Sequence, residues 1–316
     1  MKKRKHIFHF LWLLALLLMI AVPVQAAPKN KLVKSKDGYT YYYNSKGKIT
    51  KSKLVTYKKK TYGFDKQGHM YKGTLFTLNG KTYYATSSGA ISKNKFVTVN
   101  GKCYFFNSSG VRIGKQLNVK TQNTQSSQKK LAMKNIRQKP QLPTGCESVA
   151  LTMVLKYYKF NLSKTTIASK YLPRSSSGNF VTAFAGNPFS YSGCGIYSPG
   201  LTKTANKYLK AKKSKLKAYD ITGTTLSNLY KFIDEGTPVI VWNSMYMRNP
   251  IPSFSYRTQG KRWTFYAYEH CVVLCGYDKK KNKVLINDPL SGLVWRKKSS
   301  FERIYNKMGK MAVVIR

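Results

Sequence analysis

A 21-residue period governs the first third of the chain. Gly47, Gly68, Gly89 and Gly110 fall at that interval. Tyr41, Tyr62, Tyr83 and Tyr104 keep step with them, as do the apolar positions Val33, Leu54, Leu75 and Phe96. Each unit reads as a short strand, a turn carrying Asn-Gly or Lys-Lys, an aromatic strand, and then Ser-Gly or Gln-Gly. That is the pattern of a β-hairpin. One hairpin cannot bury a core alone, so four in series are expected to stack as a solenoid. Aromatics beside the recurring glycines serve either as glue between successive hairpins or as stacking faces for sugars and quaternary amines. Cys103 stands where other units carry Thr40, Thr61 and Thr82, which marks it as a packing residue.

The N-terminus carries a different signal. Lys2, Lys3, Arg4 and Lys5 precede an apolar stretch from Ile7 to Val22, and Val24-Gln25-Ala26 follows as a small-residue cleavage pattern. Residues 1–26 read as a secretory signal peptide. Pro23 breaks the stretch, and no later segment approaches the ~20 apolar residues of a spanning helix. The mature chain is therefore expected outside the membrane with no transmembrane segment. The sequence has 57 Lys and Arg against 10 Asp and Glu, a formal charge of +47, which falls by four to +43 without the N-terminal cations. An exported protein this basic gathers on anionic polymers. Anionic wall polymers or phospholipid headgroups are the expected partners, and nucleic acid is not.

Five cysteines, Cys103, Cys146, Cys194, Cys271 and Cys275, leave at least one thiol free. On one strand face Cys271 and Cys275 would lie about 13 Å apart, too far for a disulfide. No spacing fits a disulfide framework or a zinc site, and no cofactor is expected. The stretch from Lys115 to Asn135 is rich in Gln, Asn, Ser, Thr and Lys and lacks periodicity; it reads as a flexible linker. The expected organisation is a signal peptide over 1–26, four repeats over 27–114, a linker over 115–134 and one further domain over 135–316. That last segment is long enough for a core of its own.

The chemistry lies in this last segment. Glu147 to Tyr158 is apolar almost all round, the pattern of a buried central helix. Pro143 and Gly145 precede it, and Cys146 falls at its first turn, where the helix dipole and free N–H groups favour a thiolate. His270 is the only histidine after His69. It opens a strand through Cys271-Val272-Val273-Leu274-Cys275-Gly276-Tyr277. The polar stretch Asp278 to Lys283 reads as a turn, Val284 to Asn287 as the returning strand, and Asp288 precedes Pro289. A turn centred near Lys279 would put His270 opposite Asp288. A thiol at a helix start, one downstream imidazole and an acid make the minimum set for a nucleophile, its base and its orienter. Gly193-Cys194-Gly195 reads as a tight turn or the wall of a groove. Leu226 to Val241 reads as an amphipathic helix, a Gly236-Thr237-Pro238 stop and a buried strand.

Two resemblances follow from these residues. The array from about Lys31 to Gly114 is similar to the cell-wall-binding repeats of secreted Gram-positive proteins, a class related to choline- and glucan-binding repeats, although the tryptophans of choline cages are absent. Leu142-Pro143-Thr144-Gly145-Cys146-Glu147, Gly186-Asn187-Pro188, Glu269-His270, Gly276-Tyr277-Asp278 and Asn287-Asp288-Pro289 together resemble the secreted peptidase C39-like domains, papain-fold relatives of bacteriocin-leader peptidases. The resemblance covers Ile136 to Arg316. It implies an α+β fold with a central helix on an antiparallel sheet. It also implies Cys146 as nucleophile, His270 as base and Asp288 as orienter. Gln138, or in second place Gln141, would supply the oxyanion donor beside the Cys146 backbone N–H. The expected function is hydrolysis of peptide bonds at the cell wall, on a peptide or protein substrate. The alternatives are a peptidoglycan cross-bridge endopeptidase, a non-catalytic adhesin and an electrostatic wall organiser.

Overall fold

A computed structural model of the chain describes residues 28–117, 126–258 and 260–316. The expected signal peptide lies outside these residues, as do 118–125 of the expected linker. The chain divides into two compact units, Met1–Lys72 and Gly73–Arg316.

The described part of the first unit is two antiparallel hairpins, β1 (Lys31–Lys34) with β2 (Thr40–Tyr43), and β3 (Lys53–Tyr57) with β4 (Lys60–Phe64). The β3–β4 turn places Lys58 and Lys59 at φ of 45° and 64°, the double left-handed geometry of a two-residue hairpin turn. Tyr42 packs its ring against Tyr57 and Phe64, at 6.0 and 6.3 Å between centroids. The periodic glycine has a steric cause. A Cβ on Gly68 would lie 2.5 Å from Cγ2 of Ile49 in the preceding repeat, and its φ is +97°. Only glycine combines that conformation with that approach.

The second unit begins with the hairpin β5 (Thr74–Leu78) and β6 (Lys81–Ala85). The three-stranded sheet β7 (Lys95–Val99), β8 (Lys102–Phe106) and β9 (Arg112–Leu117) follows. Cys103 is buried in β8 opposite Thr98. After β10 (Gln128–Lys130) the chain builds an α+β domain. Its helices are α1 (Cys146–Tyr157), α2 (Thr166–Lys170), α3 (Ser198–Ala211), α4 (Leu226–Asp234) and α5 (Lys298–Lys307). Two short strands, β11 (Arg174–Ser175) and β12 (Phe184–Ala185), pair in parallel. The main sheet runs β13 (Ala218–Asp220), β20 (Ala312–Ile315), β14 (Val239–Ser244), β17 (Glu269–Asp278), β18 (Lys283–Asp288), β19 (Gly292–Lys297). Its pairings are antiparallel, and β10 adds to β17 beyond the end of β14. The long hairpin β15 (Ile251–Thr258) and β16 (Lys261–Ala267) stands apart from this sheet.

Every residue of β17 is buried, as are the first ten residues of α1, Cys146 to Leu155. This explains why neither element shows the one-sided pattern of a surface segment. The hairpin docks on the α+β domain through aromatic rings. Phe232 of α4 lies 5.2 Å from Phe96 and 5.0 Å from Phe105, centroid to centroid. The Asn228 amide donates to the Asn94 carbonyl at 3.3 Å.

One register differs from the sequence expectation. The β17–β18 turn spans residues 279–282, and a bulge between Leu274 and Gly276 shifts the ladder, so that Val273 pairs with Asn287. Asp288 lies diagonally across from His270 rather than opposite it. His270 instead pairs with Asn243 of β14.

Candidate active site

Gly145 ends the loop before α1, and Cys146 is the first helical residue. The segment around Asn187 and Pro188 holds this loop. The Thr144 hydroxyl donates to the Ser190 carbonyl at 2.8 Å, and the Thr144 N–H to the Pro188 carbonyl at 3.4 Å. Glu269 and His270 open β17. Tyr268, immediately before them, is held at φ 64°, a left-handed conformation of the kind that gathers at functional sites.

His270 and Asp288 form a buried pair, His270 Nε2 to Asp288 Oδ1 at 2.6 Å. The diagonal register brings them together because diagonal cross-strand neighbours share a face within reach of an imidazole. Burial opposes ionisation of Asp288. The hydrogen bond and charge of His270 and the N–H groups of Leu290 and Ser291 outweigh burial and hold its carboxyl at about 2. This contact leaves Nδ1 of His270 as the ring nitrogen available to a thiol. Asp278 takes no part, since it accepts from the Lys281 N–H in the turn, at 2.8 Å.

A cleft of about 280 Å³ is lined by Gln138, Cys146, Gly193, Cys194, Tyr266 and His270, among others. Gln138 is buried. Its Nε2 donates to the Pro143 carbonyl at 2.7 Å, and its Oε1 has no partner. Gln141 is exposed and lies outside the cleft lining. Gly193 and Cys194 thus wall the groove, while Trp242 is core.

The thiol's hydrogen bonds run to other partners. Cys146 Sγ donates to Glu147 Oε2 at 3.4 Å and accepts from the Cys271 N–H at 3.4 Å. Burial raises its pKa well above the ordinary thiol value, and the charges of Glu147 and Glu269 add to this. In this geometry the thiol rests protonated, against the expectation that the helix start favours a thiolate. Two buried carboxylates with no role expected from the sequence lie beside it. Glu147 is fully buried, and its Oε1 accepts from the Ile196 N–H at 2.6 Å. Glu269 is 7% exposed and its Oε1 has no partner. Burial pushes the pKa of each upward, with Glu147 adding to the effect on Glu269. The signal available was a carboxylate inside an apolar helix and another at the head of an apolar strand, in a chain with only ten acids.

The fold and this cleft define a peptidase-like domain. The chain belongs to the peptidase C39-like family, whose model matches residues 130–313. A cell wall binding repeat matches residues 94–111. The chain is 32% identical over 185 residues to the uncharacterized protein YvpB of Bacillus subtilis, covering 56% of this chain and 70% of that one. It is also similar to the crystal structure of a C39-like peptidase from Bacillus anthracis, with 30% identity and a TM-score of 0.51. That match covers 58% of this chain and 98% of the other. Among the described residues no helix is long and apolar enough to cross a membrane.

Proposed function

We propose that the protein is an exported, wall-associated cysteine peptidase in which Cys146 attacks a peptide carbonyl. The observation that carries this reading is the buried His270–Asp288 pair at 2.6 Å, opening on the cleft that Cys146 and Gln138 also line. For attack, the sulfur turns about Cα–Cβ from Glu147 toward Nδ1 of His270. The imidazole takes the thiol proton and later returns it to the leaving amine, while Asp288 holds the ring and stabilises the imidazolium. The Cys146 backbone N–H and the second Nε2 hydrogen of Gln138 receive the oxyanion. Water then releases the acyl group. The repeats hold the enzyme at anionic or glycan polymers of the wall and raise its effective concentration near substrate. The organisation in this proposal is a signal peptide over 1–26, repeats over 27–114, a connecting segment over 115–134 whose β10 (Gln128–Lys130) joins the peptidase sheet beside β17, and the peptidase domain over 135–316.

The test is site-resolved iodoacetamide labelling of the full chain with His270→Ala alongside, then hydrolysis of quenched peptide pools and purified wall. Cys146 should label faster than Cys194 and lose that lead without His270. Cleavage should vanish in Cys146→Ala. Stem peptides released from wall would make the substrate peptidoglycan. Cys146 labelling no faster than Cys194 would sink the catalytic reading. A second reading, a non-catalytic adhesin with a peptidase fold, draws on the contact of Cys146 with Glu147 in place of His270. It predicts wall binding with no cleavage of any pool.

A further inference from the structure

Cys146, Glu147 and Glu269 bring one sulfur and two carboxylates together in the interior, with a ligand atom of each within 4.8 Å of the others. All three residues are buried. Among the described residues no ion pair includes either glutamate, although the chain carries 57 Lys and Arg. A buried carboxylate pair without a cation needs a proton or a metal to neutralise it. Glu269 Oε1 has no hydrogen-bond partner. Gly195 keeps the space beside the carboxylates open, since a Cβ there would lie 2.6 Å from Glu147 Oε1 and 2.9 Å from Glu269 Oε2. The cleft lined by Cys146, Cys194 and Glu269 gives a path from solvent.

We propose that Cys146, Glu147 and Glu269 form a binding site for a borderline-soft divalent cation of the zinc class. Its occupation holds the sulfur away from His270. The spacing of the sulfur and Glu147 matches the chemistry. Zinc bonds of about 2.3 Å to sulfur and about 2.0 Å to oxygen in a tetrahedron separate the two ligands by about 3.5 Å. Cys146 Sγ and Glu147 Oε2 stand 3.4 Å apart. A thiolate with two carboxylates selects zinc over calcium or magnesium. Cys146 and Glu269 both line the cleft, and binding releases the thiol proton to water. A capped sulfur neither attacks a carbonyl nor oxidises, so the metal would keep the thiol intact until it is removed. The site itself is independent of the peptidase reading; only the inhibition rests on it.

The test is titration of cobalt(II) into the metal-free full chain, read by thiolate-to-cobalt charge-transfer absorption. One saturable equivalent is expected, displaced by zinc, lost in Cys146→Ser and kept in Cys194→Ser. It should be weakened about tenfold or more in Glu269→Gln. On the unaltered protein, zinc should slow iodoacetamide capture of Cys146 about tenfold or more while leaving Cys194 unaffected. No absorption at millimolar cobalt, absorption that survives Cys146→Ser, or Cys146 labelling indifferent to zinc would each overturn the site and leave a shared proton as the neutralising charge. Neither readout uses a peptide substrate. A failed cleavage assay therefore leaves the metal site standing, and a failed titration leaves the peptidase reading standing.

Discussion

Asp288 bears the heaviest demand of any single residue, because it must stay ionised while buried so that His270 is held in one orientation. Asp288→Asn should reduce peptide cleavage by about 10²- to 10⁴-fold, since an amide stabilises the wrong tautomer. The same contact has a thermodynamic signature. A carboxyl held at about 2 when folded and near 3.8 otherwise contributes stability above pH ~4, and this is lost as pH falls toward ~2. The difference between the unaltered chain and Asp288→Asn should therefore be about 2 kcal/mol at pH 6 and shrink toward zero by pH 2. Acid unfolding curves of both proteins measure it, and parallel curves would contradict the pairing. At this scale much was legible. Residue type and order pointed to Cys146, His270 and Asp288, and the family resemblance to Gln138; the structure brings Cys146, His270 and Gln138 to one cleft and pairs His270 with Asp288. Residue type and order did not point to Glu147 or Glu269. Glu147 follows Cys146 directly in sequence, but its meeting with Glu269 is set by a contact between α1 and β17, and nothing in the spacing encodes that.

At the scale of elements, the hairpin period, the buried helix and the β17–β18 return could all be read from pattern, because each repeats or alternates over several residues. The bulge could not. It inserts one residue at Cys275 within a run that is apolar throughout, so the hydrophobic pattern does not change as the register slips. Gly276 beside the bulge is also where β10 crosses, with a Cβ position 2.6 Å from the Lys129 carbonyl oxygen. Gly276→Ala should push β10 off β17. Amide exchange at Leu131, whose N–H donates to the Cys275 carbonyl at 2.8 Å, should rise by about tenfold or more, while β14 keeps its protection. Unchanged exchange at Leu131 would mean that the strand absorbs the methyl group elsewhere.

Across the second unit, the expectation of hairpins stacked only on one another understates what the last repeat does. Phe96 and Phe105 lie against Phe232, so α4 completes its burial on hairpin residues that precede it by more than a hundred positions. Phe232→Ala should cost about 3–5 kcal/mol and open β7–β9 to thermolysin, which calorimetry and timed digestion would show together. Digestion at the same rate as the unaltered chain would mean that the hairpin holds without the helix. Nothing in the residue pattern marks this seam, since aromatic residues in a repeat look alike whether the neighbour is another repeat or a helix. In evolutionary terms the seam limits exchange. Here a foreign array lacking aromatics at positions 96 and 105 would leave Phe232 without the two rings that pack against it.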